Sequence, residues 1–234
     1  ADCGMSQRRT TAIVLTRVGY GEADRIVTVL TPEAGKLVLM AKGVRKVKSK
    51  LAGGIELFSA SEITYIPGRG SISTMVSSRL MRHYGRIVQD IDRTMLGYEL
   101  IKLLHKVTED EPERGYYELL EQAFFVLDDK NVSVEFIRVW FSAQLLRLAG
   151  HTPNLQTDTI GAKLSAAKHY EFDYDSTAFT PRDDAAFGAN EIKFMRLLFS
   201  ASRASVVAAV QGGDRLALRC APLVQTLRQL HLHT

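Results

Sequence analysis

The feature that most constrains this chain is a change of hydrophobic period near residue 85. Upstream, apolar and β-branched residues come in short runs separated by turns. Downstream they recur every three or four positions. A period of two suits a pleated strand and a period of 3.6 suits a helix, so one uniform architecture cannot accommodate both halves. The chain therefore reads as α+β, with a β-region followed by a helical region.

In the β-region, Thr11–Arg17 and Arg25–Thr31 read as strands. Pro32-Glu33-Ala34-Gly35 forms a turn into a third strand, Lys36–Lys42. Ile55–Ile66 is a longer, partly alternating stretch that Pro67-Gly68-Arg69-Gly70 turns into Ser71–Val76. About five short strands in this length suggest a small closed or sandwiched β-domain. Beyond it, three stripes fit core-facing helices. They are Leu96, Leu100, Leu103 and Val107; then Tyr116, Leu120, Phe124 and Leu127; then Val134, Ile137, Phe141, Leu145 and Leu148, with Trp140 beside them. Asp110-Glu111-Pro112-Glu113 separates the first two, with Pro112 at a helix start, and Asn131 or Ser133 caps the third. Gly150 and Pro153 stop the third helix. Residues 151–187 read as irregular. Ile192, Met195 and Phe199 mark a further helix, and Leu216, Cys220, Leu223, Leu227 and Leu230 a last one, which Pro222 kinks or begins.

At 234 residues the chain has ample length for a core without a disulfide or metal staple. It has no apolar run long enough to span a membrane. Its two cysteines, Cys3 and Cys220, fit no zinc or redox spacing. Cys3 lies in the residues before Met5, and residues 1–10 are expected to be a disordered or expression-derived N-terminus. Low cysteine usage and the missing apolar core of a signal peptide point to the cytoplasm.

Charge separates with the period. Residues 1–85 carry 13 Lys+Arg against 6 Asp+Glu, whereas the whole chain is only +4. The excess concentrates in Lys42–Lys50, where Lys42, Arg45, Lys46, Lys48 and Lys50 occur with no acid. Such a run either neutralises phosphates, displacing counterions, or is a solvated loop. Glycine, serine and basic side chains give it little to anchor it in a core. Arg17, Arg25 and Arg69 extend the patch from other strands. An anionic membrane fits less well, because no amphipathic helix or interleaved aromatics accompany the cations. Tyr20, Tyr65 and Tyr84 are candidates for base stacking, with Tyr20 between two glycines the best exposed; Phe58 reads as core.

Catalytic motifs are missing. No P-loop and no Gly-x-Ser-x-Gly elbow occurs. Asp173, Asp175, Asp183 and Asp184 offer carboxylates for a divalent cation, and hence a metal-dependent nuclease, but a solvated loop explains them as well. His151, His169 and Asp158 are a weaker metal set. His231 and His233 sit where fraying is expected.

Ala12-Ile13-Val14-Leu15, Gly19 through Val27, Gly35-Lys36-Leu37, Ala41 through Lys46, Ser49 through Gly54 and Gly68-Arg69-Gly70 together resemble the opening of the RecO family of bacterial recombination mediators. Tyr98-Glu99-Leu100 and Gly150, Pro153 and Leu155 resemble later family elements. The resemblance implies an OB-fold DNA-binding barrel over 11–84 and a helical domain over 85–234. It implies a non-catalytic protein without a cofactor, in the cytoplasm at the nucleoid. Its implied partners are single- and double-stranded DNA, RecR, the C-terminal tail of single-strand-binding protein and, indirectly, RecA. Its implied DNA-binding residues are Lys42, Arg45, Lys46, Lys48 and Lys50; Arg25 and Arg69 match family motif positions with a DNA-binding or a structural role, and Arg17 is added from the charge patch alone. Many family members hold zinc with two cysteine pairs in the stretch matching about 155–185. No cysteine stands there in this chain, so the expectation is no metal and a packing built on Tyr170, Phe172 and Phe179. A rival reading is an adaptor whose basic patch meets an acidic protein tail.

Overall fold

The computed structural model describes residues 6–108 and 114–234. The acidic linker Asp110–Glu113 and Cys3 lie outside them. Two compact units divide at Asp128 and Asp129.

The first unit opens with five strands. They are β1 (Arg8–Tyr20), β2 (Asp24–Thr31), β3 (Gly35–Ala41), β4 (Ser59–Ile66) and β5 (Ile72–His83). Their order is β1-β2-β3-β5-β4, closed by β4 pairing back onto β1. All neighbours are antiparallel except β3 and β5. This is the five-stranded OB-fold arrangement. Val14, Val27, Val29, Leu39, Ile63, Tyr65 and Met75 fill the interior. β1 is long enough to serve both neighbours: Arg8–Ile13 pair with β4 and Ile13–Tyr20 with β2. The register shifts between Val14 and Thr16 as the strand passes from one partner to the other.

Two strands differ from the sequence expectation. β5 runs to His83 rather than ending at Val76, because two bulges against β4 break its alternation and Ser77 and Arg79 face outward. The stretch from Ile55 begins with a 3-10 turn, Ala52–Ile55, and pairs only from Ser59.

Two helices complete this unit, α1 (Ile91–Val107) and α2 (Arg114–Leu127). The α2 stripe is buried as its spacing requires. The α1 stripe is rotated: Leu96 and Leu100 are buried, but Ile101 and Leu104 join them, and Leu103 and Val107 are half-buried. The ring of Phe58 causes the rotation. Phe58 adopts a positive φ of 55° just before β4, and its ring meets Tyr98 and Phe124 edge-on at 5.2 and 5.6 Å. Gly97 must face that ring, since a Cβ there would stand 2.6 Å from the Phe58 Cε1. Asp90 caps α1 by accepting from the Arg93 amide at 3.0 Å, and the buried Arg93 guanidinium donates to the Leu127 carbonyl at the end of α2.

The second unit is built around α3 (Val134–Leu148), capped by Ser133, which accepts from the Phe136 amide. It is buried on nearly every side, with Trp140 donating to the Ala201 carbonyl and Gln144 to those of Leu198 and Phe199. Around it stand α4 (Ala189–Ser200), the short α5 (Ala204–Ala208) and α6 (Gly213–Leu232). α6 continues through Pro222, so that proline does not begin it. His231 is helical and its ring stacks on His151 at 4.7 Å.

Residues 151–187 are less irregular than expected. β6 (Tyr170–Asp173) and β7 (Ala178–Pro181) form a hairpin. Tyr170, Phe172 and Phe179 are buried together, with Phe187 against Phe179 at 5.6 Å, as the sequence led one to expect. The buried Asp158 carboxylate closes the adjoining loop by accepting from the Ile160 and Ala162 amides at 3.1 and 2.9 Å. Among the described residues no helix is long and apolar enough to cross a membrane, and no three His, Cys, Asp or Glu side chains converge as a metal site.

Gly97→Ala should lower stability by about 1–3 kcal/mol, because the added methyl overpacks a rigid buried ring. Thermal denaturation followed by circular dichroism checks this.

Candidate nucleic-acid interface

Strand direction fixes which side chains share an end of the barrel. The β1–β2 connection and the segment from Lys42 to Phe58 leave from one end; the β2–β3 and β4–β5 turns leave from the other. At the first end Gly19, Arg25 and Ala41 stand abreast on neighbouring strands, so Tyr20, Arg25 and the residues after Ala41 are neighbours.

The basic segment is pinned there, which the sequence did not suggest. Gly43 takes a φ of +66°, a conformation that glycine adopts without a Cβ penalty, and its amide donates to the Asp24 Oδ1 at 2.7 Å. The Arg45 amide donates to the Ala23 carbonyl at 3.0 Å and its guanidinium to the Gly21 carbonyl at 3.4 Å. Between them Val44 is buried in the barrel core, so the segment has an apolar anchor after all. Ser78 Oγ donates to the Leu51 carbonyl at 2.7 Å and ties down its far end. One exposed acid, Glu22, lies in the β1–β2 turn.

The candidate cations therefore fall into groups. Lys42, Arg45, Lys46, Lys48 and Lys50 are all exposed on this rim, and none forms an ion pair among the described residues. Arg25 is half-exposed on the inner-facing row, at the mouth of the barrel. Arg17 is on the same row but is committed: it donates to the Ile55 carbonyl at 3.5 Å and pairs with Glu56 at 3.6 Å. Arg69 is exposed on the β4–β5 turn at the other end. From the β3–β5 register it stands roughly 15–20 Å from Lys42 along the strands, at about 3.3 Å per residue.

Of the aromatic candidates, Tyr65 and Tyr84 are excluded by burial. Tyr65 fills the barrel interior. Tyr84 is enclosed near Phe124 and Arg82, and burial pushes its phenol up to about 12. Phe58 is core, as expected. Tyr20 is 55% exposed.

Sequence reasoning did not find the apolar row beside this rim. Val18, Ile26, Met40 and Thr74 lie abreast on β1, β2, β3 and β5, at outward positions that are exposed or half-buried. Their strand order could not be read without the ladder. Together the row and the rim present an apolar floor with unpaired cations at its edge, on the β2–β3 side that OB-folds use for oligonucleotides. Such a surface can take phosphates by charge and bases by contact.

Comparison with known proteins agrees with this geometry. The family profile for the recombination protein O N-terminal region matches residues 5–84, and that for its C-terminal region matches residues 88–211. The chain is similar to the DNA repair protein RecO of Rhodopirellula baltica, 33% identical over 153 residues, which are 64% of this chain and 56% of that relative. It is similar to that of Desulfatibacillum aliphaticivorans, 32% identical over 62% of this chain and 58% of the relative. It also resembles that of Listeria monocytogenes, 28% identical over 80% and 75%. The chain thus spans little more than half the length of the first two relatives.

Asp24→Ala should free the basic segment at a cost of about 1–2 kcal/mol, the range of a charge-assisted hydrogen bond. Amide exchange at Gly43 and Arg45 should quicken, which hydrogen–deuterium exchange resolved by residue would report.

Proposed function

The chain belongs to the RecO family, and from that premise we propose that it is a non-catalytic DNA-repair mediator whose barrel rim binds DNA. It binds single and double strands, anneals complementary strands, and with RecR helps to load RecA onto DNA coated by single-strand-binding protein. The observation that carries this reading is the unpaired cation cluster Lys42, Arg45, Lys46, Lys48 and Lys50, held on the rim of an OB-fold barrel. Arg25 extends it at the barrel mouth, Arg17 positions that mouth, and Arg69 would meet DNA only as a separate contact at the other end.

The mechanism is electrostatic. Two strands approaching each other repel through their phosphates. Cations that neutralise phosphates release condensed counterions and lower that repulsion, so bases come within pairing distance. A cluster already fixed by Asp24 and Val44 loses little conformational freedom on binding. No covalent step is required of the protein.

Replacing all five rim cations by alanine should abolish most DNA binding while leaving the fold intact, since the side chains are exposed. The salt dependence should flatten by about 0.7 in log–log slope for each single-strand phosphate that is no longer neutralised. Fluorescence polarisation at several salt concentrations measures both. A strand-annealing assay, with naked and with coated strands, tests the activity. Unchanged affinity and unchanged annealing would overturn the proposal.

The acidic tail of single-strand-binding protein has a separate candidate seat in the second unit. A cavity of about 490 Å³ is lined by Arg147, Pro153, Leu155, Arg196, Phe199 and Ser200. The Arg147 guanidinium is oriented by Gln144 Oε1, and Arg196 Nε donates to the Leu155 carbonyl at 2.8 Å. The remaining donors of each fork are suited to carboxylates. Arg196→Ala should weaken binding of a labelled tail peptide about tenfold, the effect of one charge-assisted bond, and leave oligonucleotide affinity unchanged. An adaptor that binds the tail through its rim would show the reverse pattern: the five-alanine variant would lose the peptide, and the wild type would not bind DNA.

A further inference from the structure

We infer that Tyr20 is a base-stacking residue that makes this rim prefer single-stranded over double-stranded nucleic acid. The inference rests on the rim being the DNA-binding site.

Its ring is more than half exposed, and among the described residues it makes no ring contact and no hydrogen bond through its hydroxyl. A large aromatic left uncovered at a strand end has no part in the core. The backbone beneath it is unusually constrained for a turn. Tyr20 pairs with Asp24 across the ladder. The Asp24 carboxylate is engaged by the Gly43 amide. The turn carbonyls of Gly21 and Ala23 are both taken by Arg45. The ring therefore sits on a fixed platform, and binding restricts only its side-chain rotation.

Its surroundings complete a single-strand site. The Arg45 guanidinium reaches the turn, donating to the Gly21 carbonyl at 3.4 Å. Arg45 is thus held at the same turn as Tyr20, and Lys42 and Lys46 are exposed on the same rim. Val18 is on the same face of β1 two residues earlier and is also exposed. At about 3.3 Å per residue the two side chains are roughly 7 Å apart, the scale of successive bases in an extended strand. Cations would track the backbone while the ring takes a base by its face, which every base offers. In a duplex the bases are already stacked on one another and the ring has nothing to receive. The duplex would then be held by the cations alone.

The test compares a labelled oligothymidine with a duplex of equal length by fluorescence polarisation, using the full chain. Tyr20→Ala should weaken oligothymidine binding about tenfold, within the range for removal of one stacked base, and duplex binding by less than about twofold, because the cations still meet the phosphates. Tyr20→Phe should behave as wild type, since stacking needs the ring and not the hydroxyl. Circular dichroism melting of Tyr20→Ala should match the wild type, as expected for removal of an exposed side chain. An equal weakening on both ligands, no weakening on either, or failure of Tyr20→Phe to retain binding would overturn the inference. The five-alanine rim variant separates the two ideas. If that variant keeps its DNA affinity, the rim reading fails, whereas a selective single-strand defect in Tyr20→Ala is judged independently of it.

Discussion

Everything at the candidate interface depends on one strand serving two partners. β1 pairs with β4 along its first half and with β2 along its second, and Ile13 is in register with both Ala60 and Leu30. That double engagement closes the barrel. Without it the sheet would be open, with β1 and β4 as unpaired edges. Closure also dictates that β3 and β5 run parallel. β5 lies between β3 and β4, so the chain from Lys42 to Phe58 must cross that end of the barrel before β4 starts and runs back. The basic segment is the first part of that obligatory crossover. Its position is a consequence of topology, and its charge is what the sequence has written onto it.

An exposed run of cations in a crossover is destabilised by mutual repulsion and by the entropy of ordering it. The chain offsets this with three local ties, none of which removes positive charge from the outer surface. Asp24 is engaged through a backbone amide and Val44 through the core. Arg45 commits its amide and one guanidinium nitrogen to turn carbonyls. Side-chain cations paired with carboxylates would have held the segment equally well but would have cancelled its field. Arg17 shows that alternative: it is tied to Glu56 and the Ile55 carbonyl, and serves the mouth of the barrel. The contrast distinguishes a cation paired within the fold from exposed cations that have no ion pair among the described residues.

Much of this was legible in the sequence, and what escaped did so for physical reasons. Short runs of apolar and β-branched residues bounded by turns located β1 to β3, and partial alternation located the stretch that holds β4. It lost the second half of β5, where two bulges interrupt the period and the outward positions are Ser77 and Arg79. Helical spacing found α2, whose buried face is uniformly large and apolar. In α1 the same spacing points to the wrong phase, because the inward position opposite Phe58 is a glycine, and hydrophobic periodicity gives glycine no weight. α3 is buried on nearly every side, so the stripe through Ile137, Phe141 and Leu145 marks only part of its buried surface. The hairpin of β6 and β7 was hidden in a polar stretch, yet its aromatic residues were recognisable, since something had to be buried where the chain offers no cysteine. At the site itself, composition marked the cations one by one. It could not show that Arg69 leaves from the opposite end, or that Tyr65 and Tyr84 are enclosed, because both follow from strand pairing across long sequence separations.

The rim combines functions that a purely charged loop would not. Charge density alone favours the ligand with more phosphates per unit length, which is the duplex. If the chain acts on single strands as proposed, that bias would have to be offset by a contact that duplex DNA cannot make. An aromatic ring on a rigid turn is the simplest such contact, since it needs no hydrogen-bond pattern and therefore no particular sequence. On the proposed reading Tyr20 would supply the ring, and the ties that hold the basic segment also hold its turn. On the proposed reading, affinity and strand preference would rest on one piece of local architecture: the junction of the β1–β2 turn with the first residues of the crossover.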